Sequence, residues 1–225
     1  MDTRLRAAVD ASLCWYDDVF ALHRIATRVD DGLWTALGTP PPWHSAAKSV
    51  EPGISTERVL RAVEAHEHCA VADSFGDLDL ERHGFDLLVE ATWLHHPALE
   101  ARPDGLPEGW SVVTTAESLA QWSAAHDYTG VLLPDVLDRS RFQVLARHDE
   151  DVLVGGAVLH RCSGVVGLSN AWAAEGSEVR YDDLVAAAHA LQPGRALTDY
   201  ASGRDLDAML ESGFTPLGPQ RVWIR

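Results

Sequence analysis

Apolar positions along this chain change period several times, and each change marks an element. After Thr3, a helix-capping residue type, Leu5, Ala8, Val9 and Leu13 recur at helical spacing. From Trp15 to Pro42 the apolar residues are broken by the acidic pairs Asp17-Asp18 and Asp30-Asp31, which predicts short helices and turns. Pro40-Pro41-Pro42 then forces a stiff, extended lead-in to Trp43, His44 and Lys48, a group that would suit a binding pocket. Another helix is expected from Ser55, its N-cap, with Ile54 and Val59 placed as a hydrophobic staple. Ala70–Ser74 and Phe85–Leu94 read as strands on either side of a turn-rich acidic connection. Residues 97–109 carry Pro97, Pro103 and Pro107 with Gly105 and Gly109, and read as a linker.

Beyond it the pattern is more regular. Trp110–Val113 is a predicted strand, and Thr114 with Glu117 forms a capping box for a helix that carries Leu119 and Trp122. Residues 131–137, with Pro134, read as a broken helix or loop. Phe142–Arg147, Val152–His160 and Val165–Trp172 form three successive antiparallel strands, with Gly155-Gly156 marking a bulge or a close backbone approach. Tyr181–Leu191 is a helix, Ala196–Tyr200 a strand and Asp205–Glu211 a helix ended by Gly213. Strands Phe214–Leu217 and Arg221–Ile224 close the chain around a bend at Gly218-Pro219.

This β-α-βββ-α-β-α-ββ order over residues 110–225, with the Gly213-Phe214 turn after the last helix, resembles the GCN5-related N-acetyltransferase (GNAT) fold. The resemblance implies an α+β protein with a mixed sheet flanked by helices. The first half echoes the ending: Ala70–Ser74 parallels Ala196–Tyr200, Gly84-Phe85 parallels Gly213-Phe214, and Trp93 sits where Trp223 does. A tandem arrangement follows as an expectation, with a shortened N-terminal unit at 1–96, a linker at 97–109 and a C-terminal unit at 110–225.

Composition narrows the partners. The chain has 225 residues, 46% of them hydrophobic, and a formal charge of −16. It is therefore expected to be globular, and its acidity disfavours nucleic acid and anionic membrane surfaces while suiting a cationic small molecule. Cys14, Cys69 and Cys162 are odd in number and widely spaced, which reads as reduced thiols in a cytoplasmic protein. The first residues are interrupted by Asp2, Arg4, Arg6 and Asp10, and no run is apolar enough to be read as a membrane span. His66-Glu67-His68-Cys69 is too compact for a metal site, and no metal is expected.

The family resemblance implies acyl transfer from acetyl-coenzyme A or another acyl-coenzyme A to an amine. Relatives of that fold hold the coenzyme pyrophosphate on a glycine-rich loop before a helix. Here residues 173–180 stand in that place, with Gly176 and Arg180 as the cofactor-binding candidates beside the acids Glu175 and Glu178. The tyrosine that often serves as acid, four residues before the Gly-Phe turn, is replaced by Met209. Ser169, Asn170 and Trp172 would line the cleft from one strand, with Asp199 and Tyr200 from the next. Asp199 or Glu175 would act as base and Tyr200 as acid. The alternative is a GNAT-fold protein that no longer uses coenzyme A, either binding a small molecule or running another reaction in the same cleft. A third reading makes the first unit the face of a homodimer.

Overall fold

The computed structural model describes residues 1–99, 103–162, 164–178 and 180–225. Part of the expected linker, Ser163 of an expected turn and Val179 of the expected phosphate loop thus lie outside the described residues. The first element is a long helix, α1 (Thr3–Leu22), capped by Asp2, whose carboxylate accepts the Arg4 N–H, rather than by Thr3. It runs straight through Asp17-Asp18, where short helices and turns were expected. Both acids are satisfied by tertiary partners. Asp17 accepts from Thr27 Oγ1 (2.9 Å) and Trp34 Nε1 (2.7 Å), and Asp18 pairs with His160 and Arg141.

Strands β1 (Thr27–Asp30) and β2 (Leu33–Ala36) form a hairpin on Asp31-Gly32, both with positive φ (45° and 79°), which gives the two-residue turn the right twist. Then come β3 (Ala47–Ser49), α2 (Thr56–Ala62), β4 (Ala70–Asp73) and β5 (Asp86–His96). In the second half β6 (Trp110–Val112) precedes α3 (Ala116–Ala125), which is capped by Thr115, not Thr114. Strands β7 (Phe142–Asp149), β8 (Val152–Cys162) and β9 (Val165–Ala173) follow, then α4 (Tyr181–Leu191), β10 (Ala196–Ala201), α5 (Gly203–Glu211) and β11 (Thr215–Ile224). The last strand is continuous through Gly218-Pro219, and the expected break is a register shift between Pro216 and Gly218.

The eleven strands among the described residues join one mixed sheet in the order β1-β2-β3-β4-β11-β5-β10-β9-β8-β7-β6. Its middle joins the two halves of the chain: β11 lies between β4 and β5, and β5 lies between β11 and β10. In each half the strand before the last is parallel to its inner neighbour, β4 to β3 and β10 to β9. Helix α4 and Phe214 cover one face of the second half, over Leu159, Val166, Leu168 and Leu197. On the other face Trp122 and Trp172 pack edge to face, and α1 lies alongside. Gly156 is where Trp122 comes closest: a Cβ there would collide with its indole and stand 2.6 Å from Leu145 O, the atom to which that indole donates.

Helix α1 is fastened to β8. Cys14 and Cys162 are joined by a disulfide with Cα atoms 6.2 Å apart, which overturns the reading of three reduced thiols and leaves Cys69 as the free cysteine. The partners are 148 residues apart in sequence, so spacing alone gave no sign of the pair. The thiol argument for a cytoplasmic setting falls with it. No described helix is long and apolar enough to cross a membrane.

Candidate functional site

The site begins where two parallel strands separate. β9 and β10 are paired only at Val165–Gly167 with Ala196–Thr198; beyond that β10 follows β5 and β9 follows β8. Just past the split, Asn170 and Ala171 stand opposite the single residue Ala157, a bulge that turns Asn170 to φ 53° and locally disrupts the ladder. A cavity of about 590 Å³ opens there. Its floor is β5, β9 and β10, and its roof is α1, where Ala8, Ala11 and Ser12 leave room and Trp15 and Tyr16 supply rings.

Of the residues proposed from sequence, Trp43, His44, Ser169, Asn170, Asp199 and Tyr200 line this cavity. Lys48, Trp172, Glu175, Gly176 and Arg180 do not. Trp172 is buried against Trp122 and His126 on the far side of the bulge. Lys48 is fully buried behind the wall, its Nζ 5.4 Å from the Tyr16 ring and 5.3 Å from the Trp93 ring. Residues that sequence reasoning missed complete the lining: Trp15, Tyr16, Trp93, Tyr128, Tyr181 and Asp205 among them. They come from five separate segments, and no local motif joins them. Asp205, an acid in the first turn of the helix after β10, is the one with a position that sequence alone marks.

The electrostatics are one-sided. Asp127, Asp199 and Asp205 line the cavity, and among the described residues no lysine or arginine does. Burial pushes the Asp199 carboxyl well above the usual carboxylate range; the Tyr200 N–H, donating at 2.7 Å, opposes this and the Asp205 charge adds to it. Burial likewise raises the Tyr200 and Tyr181 hydroxyls, which stay protonated, with Asp205 reinforcing the effect on Tyr181. His44 is held neutral, its pKa lowered to about 4 by burial despite the Pro42 carbonyl 2.9 Å from Nδ1. With that nitrogen donating, Nε2 is free to accept the Trp15 indole N–H at 3.0 Å. Asp18 is lowered even though burial opposes it, because His160 (2.8 Å) and Arg141 (3.1 Å) donate to it.

Backbone strain gathers at the same place. Six non-glycine residues among those described have positive φ, and Trp43, Asp127 and Asn170, half of them, line the cavity. Each such conformation costs on the order of 1–3 kcal/mol and needs surrounding structure to hold it.

The described part of the loop before α4 is acidic. Glu175 and Glu178 flank Gly176, and Asp182 and Asp183 occupy the first turn of α4. Arg180 is already paired with Asp183 at 3.0 Å, and Arg147 donates to the Glu178 carbonyl at 3.2 Å. At the start of α2, Arg58 is held by Asp30 (2.8 Å) and Asp31 (3.1 Å).

No family model and no curated protein matches the sequence. Solved structures do match its fold. A GCN5-related N-acetyltransferase from Kribbella flavida is similar over 96% of this chain and 95% of its own, with a TM-score of 0.67 at 17% identity. A conserved protein of unknown function from Staphylococcus epidermidis is similar over 89% and 94%, with a TM-score of 0.65 at 11% identity. A GCN5-related N-acetyltransferase-like protein from Streptococcus suis is similar over 89% and 88%, with a TM-score of 0.51 at 15% identity. The α+β mixed sheet is thus GNAT-like across nearly the whole chain.

Proposed function

We propose that this chain acts on a small organic cation, an amine, held in the 590 Å³ cavity, and that the reaction its scaffold supports is acyl transfer to the amine nitrogen. The observation that carries the reading is the lining: three carboxylates, seven aromatic side chains from Trp15 to Tyr200 and, among the described residues, no lysine or arginine. Aromatic faces and carboxylates gathered in one cavity attract an organic cation and repel an anion. The formal charge of −16 acts in the same direction at long range.

A bound ammonium returns Asp199 to its charged form. With its affinity for protons raised by burial, Asp199 is the group suited to take the ammonium proton. The freed nitrogen then bonds to the acyl carbon as the bond to the leaving group breaks. Backbone N–H groups at the Asn170 bulge would stabilise the developing oxyanion; the Tyr200 hydroxyl gives its proton to the leaving group, and the resulting phenolate takes the second proton from the nitrogen as the amide forms. No step is assigned to coenzyme A. The acidic loop at 173–178 favours a second reading, in which the same cavity binds or sequesters an amine without it. We also read the chain as two related units whose last strands, β5 and β11, are exchanged. The matching parallel pairs β3–β4 and β9–β10 support this.

Calorimetric titration of benzylamine, then of acetyl-coenzyme A, tests these readings, with free thiol release as the activity signal. Benzylamine should bind, and Asp199→Asn should weaken it about 10- to 100-fold through loss of a charge-assisted contact, with the melting temperature unchanged or raised. Turnover of acetyl-coenzyme A would establish the transferase. Amine binding with neither heat nor turnover from acetyl-coenzyme A would select the second reading, and no amine binding at all would sink both.

A further inference from the structure

Trp43 is the least economical residue in the cavity wall. It is 73% exposed, yet it lines the cavity, so its ring stands at the mouth. Its φ is 64°, a left-handed conformation that suits glycine or asparagine and is unfavourable for a bulky aromatic. Among the described residues its indole makes no hydrogen bond and no ring contact, so the strain is not offset by anything the side chain does for the fold.

The backbone around it is nevertheless firmly held. Pro40, Pro41 and Pro42 fix the approach. The His44 N–H donates to the Pro41 carbonyl at 3.2 Å, closing the turn, and the His44 ring is held between the Pro42 carbonyl and the Trp15 indole. The turn therefore presents a fixed, unpaired aromatic plate at the entrance of a carboxylate-lined cavity.

We propose that Trp43 is a specificity-determining ligand contact that selects organic cations carrying a flat apolar body, such as an aryl group, over cations without one. This rests on the cation-cavity reading above and deepens it. The carboxylates hold the charged end inside, and the exposed indole stacks on the apolar end at the mouth, where it gains the burial it lacks in the free protein.

Three probes separate the parts of this claim: benzylamine has charge and ring, methylamine has charge only, and benzyl alcohol has ring only. Each is titrated into the wild type, Trp43→Asn and Trp43→Phe. Asparagine tolerates the left-handed conformation, so Trp43→Asn should leave the melting temperature unchanged or raise it by about 1–3 °C. It should weaken benzylamine about 10-fold and leave methylamine unchanged, whereas Trp43→Phe should keep most of the benzylamine affinity. A residue with only a structural role would give the opposite pattern, a lower melting temperature with equal loss for both amines, and that result would overturn the proposal. Unchanged benzylamine affinity in Trp43→Asn would also overturn it. If the wild type binds benzyl alcohol in a Trp43-dependent way but neither amine, the cation reading fails and the aromatic plate stands. If neither ring-bearing probe binds, the plate is refuted as well.

Discussion

Lys48, the only lysine in the chain, is 1% exposed and has no carboxylate in ion-pair contact among the described residues. Its Nζ lies over the Tyr16 and Trp93 rings, and burial lowers its pKa to about 7, with Asp73 opposing the shift. The folded value lies below the unfolded one, near 10.5. Between the two the unfolded chain binds the extra proton, so the stability Lys48 withholds at pH 7 and below is regained as pH rises toward 10. Lys48→Met should therefore be more stable than the wild type by on the order of a few kcal/mol at pH 6.5, and the gain should shrink by pH 9.5. Denaturant midpoints at the two pH values check this, and a variant less stable at both would show that the cation–π contacts dominate. Lys48 also shows where reading the sequence by residue stops. Ser169, Asn170, Asp199 and Tyr200, which line the cavity, were legible through the resemblance to the GNAT strand order, which places a cleft between their strands. Lys48 was grouped with Trp43 and His44 by proximity, but it lies in β3, and its side chain packs behind the wall they help to form.

Among the elements, α1 shapes the site most and was least legible beyond its first turns. Its period looked broken at Asp17-Asp18, since a sequence cannot show that Thr27, Trp34, His160 and Arg141 will satisfy those acids. The β1–β2 hairpin was missed for a different reason: its Asp31-Gly32 turn was present as a signal but was read as an acidic interruption. The strands and helices from Phe142 to Glu211, by contrast, have uninterrupted periods and were placed within a few residues. Because α1 roofs the cavity and the Cys14–Cys162 bond fastens it to β8, that bond should govern how firmly the roof is held. Without reductant, the denatured protein should titrate one thiol, Cys69, and with reductant three. Cys14→Ser should cost about 2–5 kcal/mol, in line with loss of a native cross-link, and should speed amide exchange along Thr3–Leu22 more than in the sheet. Unchanged exchange in α1 would show that the Asp18 contacts hold the helix unaided.

At the scale of the whole molecule, the linker at 97–109 suggested two separable units, and the sheet does not keep them apart. β11, from the end of the chain, forms its hydrogen bonds with β4 and β5, both from the first half. Trp223 is buried in the first half's core with Val71, Leu80 and Phe85, and β5 supplies the neighbour that β10 needs. Each half cut at the linker would leave an apolar strand unpaired, an edge that favours aggregation over folding. Residues 1–99 and 103–225 made separately should therefore be unfolded or aggregated, with no cooperative melting transition. Mixed from denaturant, they should recover a single transition and the Trp43-dependent binding of benzylamine, because the pairing of β11 with β4 and β5, and of β10 with β5, joins them. Cooperative folding of either fragment alone would show that its own strands close a core without the exchanged one. Folding of both, without association, would mean that the central β11–β5 pairing contributes little to stability despite spanning the residues from Thr215 to Ile224.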